Sequence, residues 1–525
     1  AALTTLQVSQ LSTTQIAKLS TDQVVAMTTA QIQALTTAQV ASLTSDQLNS
    51  MASDDLKALT TTQVKALSTS QMSTLSSEQV QLMQTAQIAT LSSAQVAKLS
   101  TLAIASLTTD QVKVLSTSAL NALTSDQLAA METEDVAALT TAQVNKLSTT
   151  QISKLSTDQI MALTTAQTQA LSTAQVASLT TDQLNGMASD DLQALTTSQI
   201  KALSTSQISG LTSTQVQLME TAQIATLSSA QVGKLSTSAI ASMTTDQVKV
   251  LSTAALNALT SDQLAALETD DVAALTTAQL SKLTTSQVAK LSTAQIEALT
   301  TAQAQALTTA QIASLTSDQL NNMASVDLQA LTTTQVKALT TSQISTLTSA
   351  QVSVMETADI AALTSSQAAK LTTSAIAGLS TDQIKVITSA ALNALSSDQL
   401  AAIETEDLAA MTTDQVKNLS TTQVARLTTE QVDALTTDQV QALSTTQVLA
   451  LTSLQINSMA SDDLQALLTS QIRALSTDQI STMTTTQISQ LTTEQVAALS
   501  TAQTSALTSD QIESMTTDQI GALPF

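Results

Sequence analysis

The chain contains no cysteine, histidine, tryptophan or tyrosine, and only one phenylalanine and one proline. Without cysteine there are no disulfides and no thiol chemistry. Without His, Cys or Tyr, acid–base or nucleophilic catalysis would fall to Ser, Thr, Lys, Asp or Glu converging in one pocket. The hydroxyls are instead spread evenly along the 525 residues. The chain is therefore not expected to be an enzyme, and no catalytic, cofactor-binding or metal-binding residue is expected. Lys and Arg number 18 against 41 Asp and Glu, a net charge of −23. That balance, with Phe525 the single aromatic residue and none placed for base stacking, opposes nucleic-acid binding. The absence of basic clusters opposes docking on anionic membranes. No run approaches the roughly 18 apolar residues of a membrane span, so no membrane insertion is expected.

What the sequence has is one phrase, repeated. From Thr28 to Leu43 it reads T-T-A-Q-I-Q-A-L, T-T-A-Q-V-A-S-L. With Leu3 as position one of an eight-residue unit, the frame runs to Leu523 through 65 units without an insertion or deletion. Position one is always Leu, Met or Ile. Position six is Val, Ile, Leu or Met except at Thr168, Ala304, Ala368 and Thr504.

Position two is mostly Ser or Thr and position five mostly Gln, which is the spacing of a capping box. The hydroxyl accepts from an early helix N–H, and the Gln reaches back to the N–H of the cap residue. Positions one and six then form the apolar staple that fixes the chain's entry into a helix. Charge gives an independent argument. All 18 bases lie at positions seven or eight, and all acids except Glu297, Asp433 and Glu513 lie at positions two, four or five. Acids at helix starts and bases at helix ends suit the helix dipole, whereas strands have almost none.

One continuous helix is excluded, because eight residues would rotate the apolar stripe by about 80° per unit. The alternative is a β-solenoid of eight-residue rungs, which Thr, Val and Ile would favour. The five glycines, at 186, 210, 233, 378 and 521, mark no regular corner for such rungs. Helices this short are marginal alone and must pack on neighbours. The expected fold is all-α: a solenoid of very short capped helices, one per octad, forming a single elongated body over residues 1–525.

A longer period of 136 residues, 17 octads, overlies the short one. M-A-S-D-D-L begins at Met51, Met187 and Met459, with M-A-S-V-D-L at Met323. The blocks are 51–186, 187–322 and 323–458, with partial copies at 1–50 and 459–525. Ala replaces Gln at 103, 239 and 375, and again 16 residues later at 119, 255 and 391. That offset suggests unit n packing beside unit n+2. The opening A-A-L-T-T has no signal-peptide character, so export would use a signal elsewhere, or the segment is a mature or excised one. Pro524 and Phe525 replace the next cap, and neither end shows a polar capping repeat. Open ends would stack on other copies or continue into a longer protein.

The acidic pairs Asp54/Asp55, Asp190/Asp191, Asp462/Asp463, Glu134/Asp135, Asp270/Asp271 and Glu406/Asp407 are candidate calcium ligands. No calcium-loop motif accompanies them, and first-turn carboxylates serve helix N–H groups anyway. The Ser/Thr rows could present a hydroxyl lattice to ice, but position-two hydroxyls are committed to caps.

The octads L-[ST]-[ST]-x-Q-[VI]-x-x, as in Leu147–Lys154 and Leu283–Lys290, resemble repeat regions of very large bacterial secreted or surface proteins with adhesin- or fibre-like roles. The resemblance implies an extracellular or cell-surface structural role and carries no functional residues across. The expected function is a stiff rod or filament shaft of an extracellular fibre or surface appendage, self-associating end to end or side by side. The alternative is an adhesin-type module whose flank contacts glycan or protein.

Overall fold

A six-residue helix cannot satisfy its own backbone. Its first four N–H and last four C=O groups have no partner within the helix, which here is nearly the whole element. The architecture follows from how those groups are satisfied. The computed structural model describes residues 3–524. Among the described residues each octad is one α-helix, 65 in all, and there is no strand. We number them in chain order from α1 (Thr5–Gln10) to α65 (Thr517–Ala522). The β-solenoid alternative is overturned. A Ser or Thr cap every eight residues, with Gln three places on, commits each octad to starting a helix.

In α5 (Thr37–Ser42) the cap residue Thr36 is extended, with φ −72° and ψ 158°. Its Oγ1 accepts from the N–H of Gln39 at 3.2 Å, and the N–H of Thr36 donates to Gln39 Oε1 at 2.7 Å. Such a cap contributes about 1 kcal/mol. At the other end Leu43 turns extended, φ −60° and ψ 136°, which stops the helix. Its N–H donates to Val40 O at 3.2 Å. Val40 at position six is 0% exposed and Leu43 at position one 5%, so the staple residues are also the core. In this octad position six is fully enclosed and position one nearly so.

The chain divides into two compact units, Ala1–Leu267 and Glu268–Phe525. Within the first, α1 packs on α4 (Thr29–Ala34), and α18 (Thr141–Lys146) on α21 (Thr165–Ala170). Within the second, α42 (Thr333–Ala338) packs in the same way on α45 (Thr357–Ala362). The neighbour is thus the third octad along. Among the described residues the packed neighbours are three octads apart rather than the n+2 expected from the spacing of Ala103 and Ala119, and hydrogen bonds that join octads span 25 to 31 residues. The Ala-for-Gln octads keep half of the box: Ser100 still accepts from the N–H of Ala103 at 3.1 Å, and Ala103 is 0% exposed. No described helix is long and apolar enough to cross a membrane.

No described glycine has a positive φ, and four of the five, Gly186, Gly210, Gly233 and Gly378, stand where an added Cβ would press on a neighbour. At Gly378 a Cβ would lie 2.6 Å from Ser349 Cβ and 2.8 Å from Ser349 Cα. Gly378 ends α47 (Thr373–Ala377), and Ser349 opens α44 (Ser349–Val354), three octads earlier. A side chain at 378 would separate them.

Candidate functional site

The chemistry of this chain is concentrated at position five. Capping accounts for one end of the Gln side chain, its Oε1. The other end, Nε2, is buried and needs acceptors. In Gln143 it donates to Val112 O at 3.0 Å and Leu115 O at 2.9 Å, 31 and 28 residues earlier. Meanwhile Oε1 accepts from Thr140 N at 2.7 Å and Thr140 Oγ1 at 2.9 Å. One amide thus satisfies the start of its own helix and the end of α14 (Thr109–Val114), four octads back. The second unit repeats the geometry. Gln335 donates to Ala304 O at 2.9 Å and Leu307 O at 2.8 Å.

An octad such as that of Gln143 or Gln335 therefore touches the third octad along through packing and the fourth octad back through its amide. Gln143 is 3% exposed. A buried amide with all its groups paired holds two helices together, whereas an unpaired one would destabilise the stack.

Eight octads carry Asp at position five (Asp55, Asp135, Asp191, Asp271, Asp327, Asp359, Asp407 and Asp463), and six carry Ala. All eight aspartates are buried. The acidic pairs accordingly split. The first members, such as Asp54 and Glu134, lie exposed in the first turn, and Glu134 accepts from its own backbone N–H, which lowers its pKa. The second members lie inside. Burial first, then the neighbouring Glu132 and Glu134, pushes the Asp135 carboxyl up to about 6. Burial with Glu356 does the same at Asp359, and burial with Asp433 and Asp462 at Asp463, each to about 6. Asp55, Asp191 and Asp407 are raised by burial and by the acid beside each. Asp327 has a donor: Thr301 Oγ1 gives it a 2.9 Å bond.

These octads also lack the usual cap. Ala52, Ala188, Ala324 and Ala460, or Glu132, Glu268, Glu356 and Glu404, stand at position two without a side-chain cap bond. First-turn capping therefore describes the exposed acids, and among the buried ones Asp359 still accepts from the Glu356 backbone N–H. Among the described residues no three acids group as a metal site.

Two surface concavities among the described residues are lined mainly by apolar side chains, amides and hydroxyls. One of about 490 Å³ is lined by Leu3, Val8, Leu19, Met27 and the amides of Gln23 and Gln31, with no ionisable side chain. Another of about 270 Å³ beside Met51 contains a single carboxylate, Glu78, among hydroxyls and amides. Three ion pairs, Lys113–Asp110, Lys249–Asp246 and Lys385–Asp382, recur at the 136-residue period at 3.4–3.7 Å. They are surface i, i+3 pairs and contribute little.

A family model described as the ALTTAQ repeat matches residues 1–29, 24–53, 48–85, 128–165, 184–219, 216–251, 248–277, 264–301, 320–355, 352–386, 400–437, 456–493 and 490–524, more than three quarters of the chain. No curated protein matches. Among solved structures, a homology model of the full-length AP-3 complex in an intermediate open conformation aligns over 94% of this chain and 83% of that one. Its identity is 12% and its TM-score 0.16, and it carries no argument.

Proposed function

The chain belongs to the ALTTAQ repeat family, and from that premise we propose a structural role: a solenoid of capped octads serving as the shaft of an extracellular fibre or surface appendage of a large bacterial protein. The observation that carries this reading is the engagement of the position-five amide. In octads such as Gln143 and Gln335 both ends of the side chain are bonded within the stack. The hydroxyl at position two is consumed by its cap. The position-five amides and the apolar residues at positions one and six are thus turned inward to hold octads together, which suits an element whose product is length rather than chemistry. Stability in such an array is close to a sum of unit and neighbour terms. No single octad is then indispensable.

The test is deletion of one whole block, Met51–Gly186, which rejoins Ser50 to Met187 in phase. We expect the protein to fold with unchanged helicity and to form, under electron microscopy, particles shortened in proportion. Any self-association, end to end or side by side, should persist. If the deletion abolished folding, or removed binding to a glycan or protein while leaving a shorter particle intact, a discrete site would lie in that block. The adhesin reading would then replace this one.

A further inference from the structure

Where position five carries Gln its Nε2 donates into the stack, and a carboxylate in the same place has no donor to give. The octads on either side of Asp135 show what the place demands: Gln127 Nε2 donates to Leu99 O at 2.6 Å, and Gln143 Nε2 to Leu115 O at 2.9 Å. The acceptors in the same register from residue 135 are Leu107 O and Ile104 O, at the end of α13 (Thr101–Ala105). Asp135 is 3% exposed, and its Oδ2 is buried without a hydrogen-bond partner. Only the protonated acid has an O–H to offer a carbonyl. We propose that the Asp135 octad is an acid-locked joint, closed when the position-five carboxyl is protonated and loosened when it ionises.

The charges around Asp135 leave it no other remedy. On its own octad stand Glu132 and Glu134, both of the same sign. Of the helices packed against α17 (Thr133–Ala138), α14 brings Asp110 and Lys113, and α20 (Thr157–Met161) brings Asp158. Lys113 pairs with Asp110 on its own helix at 3.7 Å. α13 and α21, four octads to either side, carry no charged residue. Asp at position five recurs at the 136-residue period, as Asp55, Asp191, Asp327 and Asp463 and as Asp135, Asp271 and Asp407. Duplication of the block has thus distributed these aspartates along the chain.

The direction with pH follows from linkage. A carboxyl raised from 3.8 to about 6 in the fold binds its proton more tightly folded than unfolded. Its stabilising contribution is complete below about pH 4 and is lost as pH rises through about 6. Such a shift corresponds to at most about a hundredfold change in the local opening equilibrium.

The experiment is amide hydrogen exchange on the full chain from pH 4.5 to 7.5, corrected for intrinsic rates. It compares α13 and α17 with the Gln-held pair α12 (Ser93–Val96) and α16 (Ser125–Ala129). We expect protection of the Asp135 joint to fall at least tenfold relative to the Gln joint across that range. Asp135→Asn, of the same size with a donor at every pH, should remove the difference, and Asp135→Gln should do so while raising protection at pH 7.5. A wild-type profile parallel to the Gln joint would overturn the proposal, as would an Asp135→Asn profile that still falls. Recovery of protection by calcium at pH 7.5 would also overturn it, because a cation and not a proton would then close the joint.

Discussion

Replacing Gln143 by Glu changes one NH₂ to O with no change of shape, and so isolates the donor end of the amide. The acceptor half of the capping box survives, since Oε1 can still receive from Thr140 N and Oγ1. What is lost is donation to Val112 O, Lys113 O and Leu115 O, which lie at 3.0, 3.3 and 2.9 Å. Val112 O keeps a bond from Leu115 N at 3.2 Å, whereas the Leu115 carbonyl loses its amide. A lost buried hydrogen bond costs about 1 kcal/mol net, and an unsatisfied buried group about 1–3 kcal/mol. With an ionised oxygen facing carbonyl oxygens, we expect roughly 2–3 kcal/mol of local destabilisation at pH 7. That is roughly a 30- to 150-fold rise in opening of the joint between α14 and α18, at 1.36 kcal/mol per decade.

Hydrogen exchange of those two helices is the appropriate assay, because a 525-residue repeat array need not unfold in one step. The introduced carboxyl should be raised by its surroundings, so the loss should shrink as pH falls and the acid regains an O–H to donate. Gln143→Ala should be damaging at every pH. If Gln143→Glu exchanged like wild type at pH 7, the Nε2 bonds would not be holding the octads together.

Three further outcomes follow. Thr168 at position six is 0% exposed and its Oγ1 has no partner; Thr168→Val should stabilise α21 by about 1 kcal/mol, seen as slower local exchange. Gly378→Ala should force Ser349 and the backbone of α44 aside, loosening α44 against α47 by about 1–3 kcal/mol without altering octads more than four units away. Stripping divalent cations with a chelator should leave the melting curve unchanged. A loss of several degrees would instead show that the acidic pairs hold calcium.

Much of this fold could be read from the sequence because its signals are local. A cap at position two, a Gln at five and a staple of one and six lie within a single octad, so phase and helix starts follow from spacing alone. How octads meet is not local. The spacing of Ala103 and Ala119 pointed to n+2, whereas the structure joins octads three and four apart.

One signal for the amide's second role was present. Glu closes a capping box as well as Gln, yet Glu never occupies position five, although it appears at positions two and four, as at Glu132 and Glu134. A place that takes Gln in most octads and never Glu points to a use for the NH₂. The buried aspartates were hidden for the complementary reason. In sequence they stand beside exposed acids and share a first turn with them, and only the register to the helix four octads back separates Asp135 from Glu134.

The account rests on that register, and the absence of cysteine makes it directly measurable. Asn145 Nδ2 donates to Ala170 O at 2.6 Å, joining α18 to α21. Asn145→Cys combined with Ala170→Cys should form a disulfide under mild oxidation, located by mass spectrometry of the linked peptides. Asn145→Cys with Ala162→Cys, the same octad position one unit nearer, should remain reduced. A bond to 162 and none to 170 would mean that octads pair at n+2, and the amide joints described here would not exist.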